Sequence, residues 1–433
     1  AIHPERKTVS VRNLESNEEF EERYDKLLLS PGAKPTQPRL PGVGLDKLFT
    51  LRTVEDTFRI RDYLDTHPVR RAVVVGGGFI GLEAAENLLH AGVATTLLQK
   101  GDQVLPPLDP DMAAEVHAYL RGCGVELRLG AHVTGFVPEG ESLSVTLEGG
   151  ERVPADLVLL GIGVMPESEL ARSAGLTLGV KGAIAVDEHM HTSCPDIYAV
   201  GDAVEVRHFV SGAKSHIALA GPANKQGRIA ADHICGIPST FTGSQGTSVI
   251  KLFDMTAAST GLNEKTARAA GVDYGKAITY SASHATYYPG AQNMTVKTLF
   301  DPATGRILGA QIVGFDGVDK RIDVLATAIR AGLTAADLTE LDLAYAPPYG
   351  SAKDPVNMAG YVIENVRAGL VEQHHWDAVA ELPADGSVIL LDVRTPGEVR
   401  KQGLLRSDAL HIPLDELRGR LGRMGLWLMG LAG

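Results

Sequence analysis

Cysteine is nearly absent from this 433-residue chain: Cys123, Cys194 and Cys235 stand far apart, with no C-x-x-C pair and no metal-ligand spacing. A disulfide framework is therefore not expected, and neither is a bound metal. No apolar run approaches the roughly 20 residues needed to cross a bilayer. The first residues, AIHPERKTVSVRNLESNEEF, carry too much charge for a signal peptide. Positive charge is also in deficit, with 41 Lys and Arg against 53 Asp and Glu and a formal net charge of -12. Such a surface has no bulk attraction for phosphate backbones or anionic lipid, so nucleic acid and membrane are excluded as expected partners. The composition reads as that of a soluble, cytoplasmic protein whose 44% hydrophobic residues can fill several cores.

What is present begins with a hairpin pattern over residues 7–35, closing on a buried strand that ends at Ser30-Pro31-Gly32-Ala33. A helical stretch, VEDTFRIRDYLDTH, leads into the apolar run Arg71-Ala-Val-Val-Val75. Gly76-Gly-Gly78-Phe-Ile-Gly81 follows, then a helix and a second buried strand, Ala94 to Gln99. Asp109 is placed to cap another helix. Short alternating strands follow up to Leu160, and a further helix spans Pro222 to Ile234. KLFDMTAAST, NMTVKTLFD and ILGAQIVGF read as period-2 strands, with helices near Ile322 to Ala331 and Asp354 to Val366.

The pattern Gly76-x-Gly78-x-x-Gly81 is weak alone, but here it follows a buried strand and opens a helix. The first glycine permits the turn, the second lets backbone approach a pyrophosphate, and the third lets helix and strand pack closely. Gln99 occupies the strand end, where an acidic residue would bind the ribose of NAD, and Lys100 follows it. A neutral amide beside a cation removes the repulsion against a 2'-phosphate, so NADPH becomes acceptable alongside NADH. The alternative is that both side chains merely face solvent.

Thr192-Ser-Cys-Pro-Asp-Ile-Tyr-Ala-Val-Gly201-Asp202 sets one carboxylate at the end of an apolar strand. This segment resembles the second FAD fingerprint of the pyridine nucleotide-disulfide oxidoreductases, in which the Asp binds the ribitol chain. Leu159-Leu-Gly-Ile-Gly163-Val-Met-Pro166 is similar to the motif joining that family's two nucleotide domains, and Ser30 to Ala33 resembles its A-T-G motif. Glu83 matches a glutamate that stands near nicotinamide and flavin, and is equally explained as a first-turn carboxylate. Ala344-Tyr345-Ala-Pro-Pro-Tyr349 and His284-Ala-Thr-Tyr287-Tyr288 resemble the single-cysteine branch, which includes coenzyme A-disulfide reductases, persulfide reductases, NADH oxidases and peroxidases. In the coenzyme A-disulfide reductases two tyrosines of the partner subunit approach the reactive sulfur. The resemblance places Tyr287 and Tyr345 in that catalytic role; ordinary interface packing is the alternative. Asp392-Val-Arg394 and His411-Ile-Pro413 resemble the start of a rhodanese domain, but no cysteine follows Cys235.

The resemblance implies an α/β chain with two doubly wound dinucleotide-binding domains, an α+β dimerisation domain and a partial rhodanese-like α/β segment. The expected divisions are 1–66 and 183–246 for FAD, 67–182 for NAD(P)H, 247–368 for dimerisation and 374–433 for the truncated rhodanese-like part. The cofactor-binding residues are expected to be Gly76, Gly78, Gly81, Glu83, Gln99, Lys100, Gly163, Gly201 and Asp202. FAD and NAD(P)H are the implied cofactors. A small-molecule disulfide or persulfide, with CoA-derived compounds among the candidates, is the implied substrate of a homodimer, and an NADH oxidase or peroxidase on the same scaffold is the runner-up. The first FAD fingerprint and the redox cysteine are expected upstream of Ala1. A catalytically inactive fragment is therefore a further alternative.

Overall fold

The computed structural model describes residues 1–379, 381–404 and 406–420. It divides into two units, Ala1–Val371 and Glu372–Gly433. The apolar strand Arg71–Val75 lies at the centre of a five-stranded parallel sheet, as expected for a strand buried on both faces. The sheet order is Leu48–Thr50, Leu157–Leu160, Arg71–Val75, Ala94–Leu98, Glu126–Arg128. Helices Phe79–His90 and Pro110–Gly122 cover one face with Leu82, Leu88, Met112 and Val116. The antiparallel meander Val133–Glu139, Ser142–Leu147, Arg152–Ala155 covers the other through Phe136 and Val145. Strand Leu48–Thr50 pairs with Leu157–Leu160. Residues 48–66, assigned from sequence to the FAD side, therefore pack with the nucleotide sheet, where Phe49 meets Tyr63 of helix Val54–Thr66.

On the other side, Leu27–Leu29 runs parallel to Ile197–Ala199, and the antiparallel pair Ala33–Pro35 and Val164–Pro166 stitches the two halves together. The expected N-terminal hairpin is present as Thr8–Arg12 and Glu19–Arg23.

Residues 248–314 build a second five-stranded sheet, fully antiparallel, backed by helices Val318–Ala331 and Pro355–Arg367. Here the sequence misled in one place. KLFDMTAAST is not one strand: Ser248–Leu252 turns back at Phe253-Asp254 into Met255–Gly261. Phe253 takes a left-handed φ of 52°. The reversal puts Ile250, Leu252, Met255 and Ala257 into one core, which a single straight strand would not.

In the second unit, Leu391–Asp392 and Leu410–His411 pair in parallel, bringing the D-V-R and H-I-P elements side by side. Arg394 holds Asp392 at 2.6 Å, and His411 Nε2 shares a 2.8 Å bond with the Arg394 carbonyl. The Arg394 hydrogen bonds hold the Asp392 carboxyl down to about 2. The apolar tail GRMGLWLMGLAG lies outside the described residues.

Candidate functional site

The glycine turn is close-fitting for a steric reason at two of its three positions. Gly76 takes φ +110°, and a Cβ there would stand 2.4 Å from the Gly161 carbonyl oxygen; at Gly81 a Cβ would stand 1.9 Å from that of Gly76. Gly78 is different, since a Cβ there would meet nothing within 4 Å. Its open side adjoins the first turn of helix Phe79–His90, which has no side-chain cap. Free N–H groups and the positive helix end are left for an anion.

Gln99 does something the sequence did not disclose. Its Oε1 accepts from Gly77 N at 2.9 Å, and its Nε2 donates to the Gln103 carbonyl at 3.0 Å. The amide is thus tied at both ends to the loop, while neighbouring Lys100 is exposed. Gly76, Gly78, Gln99, Lys100, Gly163 and Asp202 line one cleft of about 810 Å³, whereas Gly81 and Gly201 do not line it. That volume suits a sizeable ligand.

At the far end, Gly201 takes φ +80°, and its N–H donates to buried Gln226 at 2.7 Å. The Asp202 carboxylate lies 3.5 Å from Arg52, a side chain that sequence reasoning missed. Gly32 explains how Arg52 fits: at φ +74°, a Cβ there would sit 3.0 Å from the guanidinium. Nothing local to residue 52 pointed to a carboxylate 150 positions away.

Glu83 is not among the cleft's lining residues. Burial and then neighbouring Glu86 raise its pKa, although the side chain is largely exposed. Tyr287 and Tyr345 are brought together, their hydroxyls 2.8 Å apart. Both are exposed, and the hydrogen bond to Tyr345 holds Tyr287 above the usual phenol value. Their loops are held by buried Arg321, which pairs with Asp354 at 2.9 Å and donates to the Ser283 and Tyr349 carbonyls. None of the three cysteines lines the cleft. Cys123 and Cys235 follow helix ends, and Cys194 is half-buried against the FAD-side core.

A second charged cluster joins the nucleotide sheet to the antiparallel domain. Lys297, fully buried, lies 3.0 Å from Asp109, 2.7 Å from Asp111 and 2.5 Å from Glu264. Those three carboxylates converge as metal ligands would, but the lysine ammonium already fills their centre. Burial pushes the Glu264 pKa up, but Lys297, helped by Tyr274 and Lys276, holds it down to about 2. Burial likewise disfavours the Lys297 charge, yet the three carboxylates outweigh it and raise its pKa. Asp109 stands at the N-cap of Pro110–Gly122 as expected, but it makes no cap bond: its carboxylate receives Glu264 N–H and the Gln311 amide.

A glycine turn on a parallel sheet, sharing a cleft with a strand-end aspartate and backed by an antiparallel domain, defines a nucleotide-dependent redox protein. The chain belongs to the pyridine nucleotide-disulphide oxidoreductases: that family's model matches residues 1–227, and its dimerisation-domain model matches residues 247–355. FAD and NAD(P)H are therefore its cofactors. It is 37% identical to the coenzyme A disulfide reductase of Staphylococcus haemolyticus over 362 residues, 83% of this chain and 80% of that protein. The structure of reduced Bacillus anthracis CoADR-RHD superposes with a TM-score of 0.92 at 47% identity, over 97% of this chain and 75% of that one. An NAD-dependent persulfide reductase from A. fulgidus gives 0.90 at 40% identity, over 98% and 77%. Among the described residues no helix is long and apolar enough to cross a membrane.

Proposed function

We propose that this chain serves an NAD(P)H-driven reduction of a small disulfide or persulfide, with a CoA-derived thiol as the substrate class, and that it works as a homodimer. The observation that carries the reading is the single cleft running from the glycine turn to Asp202, together with the paired tyrosines on the dimerisation domain. The glycine turn and the helix N-terminus hold the dinucleotide pyrophosphate, Gln99 fixes the turn, and Lys100 at the rim favours a 2'-phosphate. Asp202, paired with Arg52, would hold the flavin's polyol chain by accepting its hydrogen bonds. When bound, FAD supplies the two-electron relay between nicotinamide and sulfur. Tyr287 and Tyr345 stand exposed so that they can enter a partner subunit's site, where a phenol donates a proton to a leaving thiolate. Cys123, Cys194 and Cys235 are incidental to the chemistry, and the unit from Glu372 onward is rhodanese-like, presenting Asp392, Arg394 and His411 as its framework.

Acceptor choice tests the proposal. The full-length protein, supplied with FAD and either nucleotide, is offered CoA disulfide, CoA persulfide, dioxygen, hydrogen peroxide and ferricyanide in parallel. The sulfur compounds are expected to be the natural acceptors used, with ferricyanide as a positive control for hydride entry. Oxygen or peroxide consumption without thiol release would establish the oxidase reading instead. Ferricyanide reduction alone would remove the sulfur half and leave the nucleotide half standing.

A further inference from the structure

The cleft wall beyond Gln99 is a loop, residues 103–109, that leaves the nucleotide sheet and touches the dimerisation domain. Its inner side is bonded to the glycine turn, with Leu105 N–H donating to the Gly77 carbonyl at 2.9 Å. Leu105 takes φ +48°, a left-handed conformation that leucine adopts rarely and only where its surroundings impose it. Val104 N–H donates to buried His117 Nε2 at 3.0 Å, and burial lowers the His117 pKa, which keeps that nitrogen an acceptor. Pro106 and Pro107, at the crest, line the cleft directly.

The crest is gripped from the dimerisation domain. Buried Asn263 directs Nδ2 to the carbonyls of both Pro106 and Pro107, each at 3.2 Å. Its Oδ1 faces the other way and caps helix Glu264–Ala269 by accepting from Thr266 N at 2.8 Å. We infer that Asn263 is a positioning residue for dinucleotide binding: it holds the Pro106–Pro107 crest and strained Leu105 against the glycine turn, so the dimerisation domain sets nucleotide affinity. The inference rests on the glycine turn being the dinucleotide site. One amide performs two separable tasks, and the capping task needs only an acceptor.

Asn263→Ser separates them, because serine is a good N-cap but too short to reach the prolyl carbonyls. Asn263→Asp also keeps the cap while turning an acceptor toward two acceptors. NADH and NADPH dissociation constants are measured by calorimetry on the full chain, with urea midpoints alongside. Asn263→Ser is expected to weaken both nucleotides roughly tenfold, equivalent to about 1.4 kcal/mol. Its urea midpoint should stay near wild type, and Asn263→Asp should weaken binding further. Gly78→Glu, placed where a Cβ meets no atom within 4 Å, serves as the site control. If Gly78→Glu leaves affinity intact, the site reading falls and this inference falls with it. If Gly78→Glu abolishes binding while Asn263→Ser changes affinity less than about twofold, Asn263 is only a helix cap and the inference is overturned.

Discussion

Replacing Lys297 by methionine isolates the charge that joins the two domains, since methionine nearly matches the lysine stem in length. The ammonium removed is fully buried and within 3.0 Å of three carboxylates that are themselves at most 10% exposed. Lys276 and Arg268 remain, and each pairs with Glu264. Losing one partner of a buried ionic cluster costs about 3–5 kcal/mol. Against a total of about 5–15 kcal/mol, this is a large fraction. The pH dependence should identify the cause. In the wild type, Glu264 has a folded pKa of about 2, below its unfolded value, so its contribution is complete above about 4.5 and fades as pH falls toward 2. In the variant the Lys297 charge that lowers the Glu264 pKa is gone, so that pH-dependent contribution shrinks. The gap between the two proteins should therefore be full at pH 8 and narrow as pH falls from about 4.5 toward 2. Urea unfolding followed by far-UV circular dichroism measures both. A gap under about 1 kcal/mol at pH 8, or one that does not change with pH, would refute the reasoning.

Gln99→Glu keeps an acceptor for Gly77 N–H but sets a carboxylate against the Gln103 carbonyl and beside any 2'-phosphate. Both nucleotides should bind less well, with kcat/KM for NADPH falling about tenfold more than for NADH; equal losses would mean that position 99 acts on the loop alone. Tyr287→Phe breaks the hydroxyl pair, and turnover with a sulfur acceptor should drop at least about tenfold while ferricyanide reduction is unchanged. Parallel losses in both assays would assign the tyrosine to packing. Arg321→Met strips Asp354 of a buried partner and frees the Ser283 and Tyr349 carbonyls, so it should cost about 3 kcal/mol or more in urea unfolding.

The parts legible from sequence were those with local causes. Strand Arg71–Val75, the glycine turn and helix Phe79–His90 follow from an apolar run, three glycines and helical spacing within about twenty residues. The strand running into Gly201-Asp202 was equally plain, because Ile197 to Val200 are apolar and the glycine that ends them needs a positive φ. Tyr287 and Tyr345 were selected by motif, and their contact across 58 residues is something spacing could not supply. Gln99 stands at a strand end, where local sequence allows either a ribose-facing or a solvent-facing side chain; its partners, Gly77 N–H and the Gln103 carbonyl, depend on how the following loop folds back.

Asp109 shows most clearly where such reading stops. An aspartate before Pro110 is a strong local signal for a helix cap, and the helix does start there. Yet the same carboxylate forgoes the cap, because Glu264, Lys297 and Gln311, 155 to 202 positions away, offer it buried donors and an opposite charge. A cap bond contributes about 1 kcal/mol, whereas taking one partner out of a buried ionic cluster costs about 3–5 kcal/mol. The stronger demand wins, and local propensity yields. The same ordering explains Leu105, whose left-handed backbone no sequence rule would assign. Its N–H is committed to Gly77, and the two residues after it are held by Asn263. Residues that join domains answer to partners remote in sequence, so the cleft's walls are readable one strand at a time while the contacts that set their spacing are not.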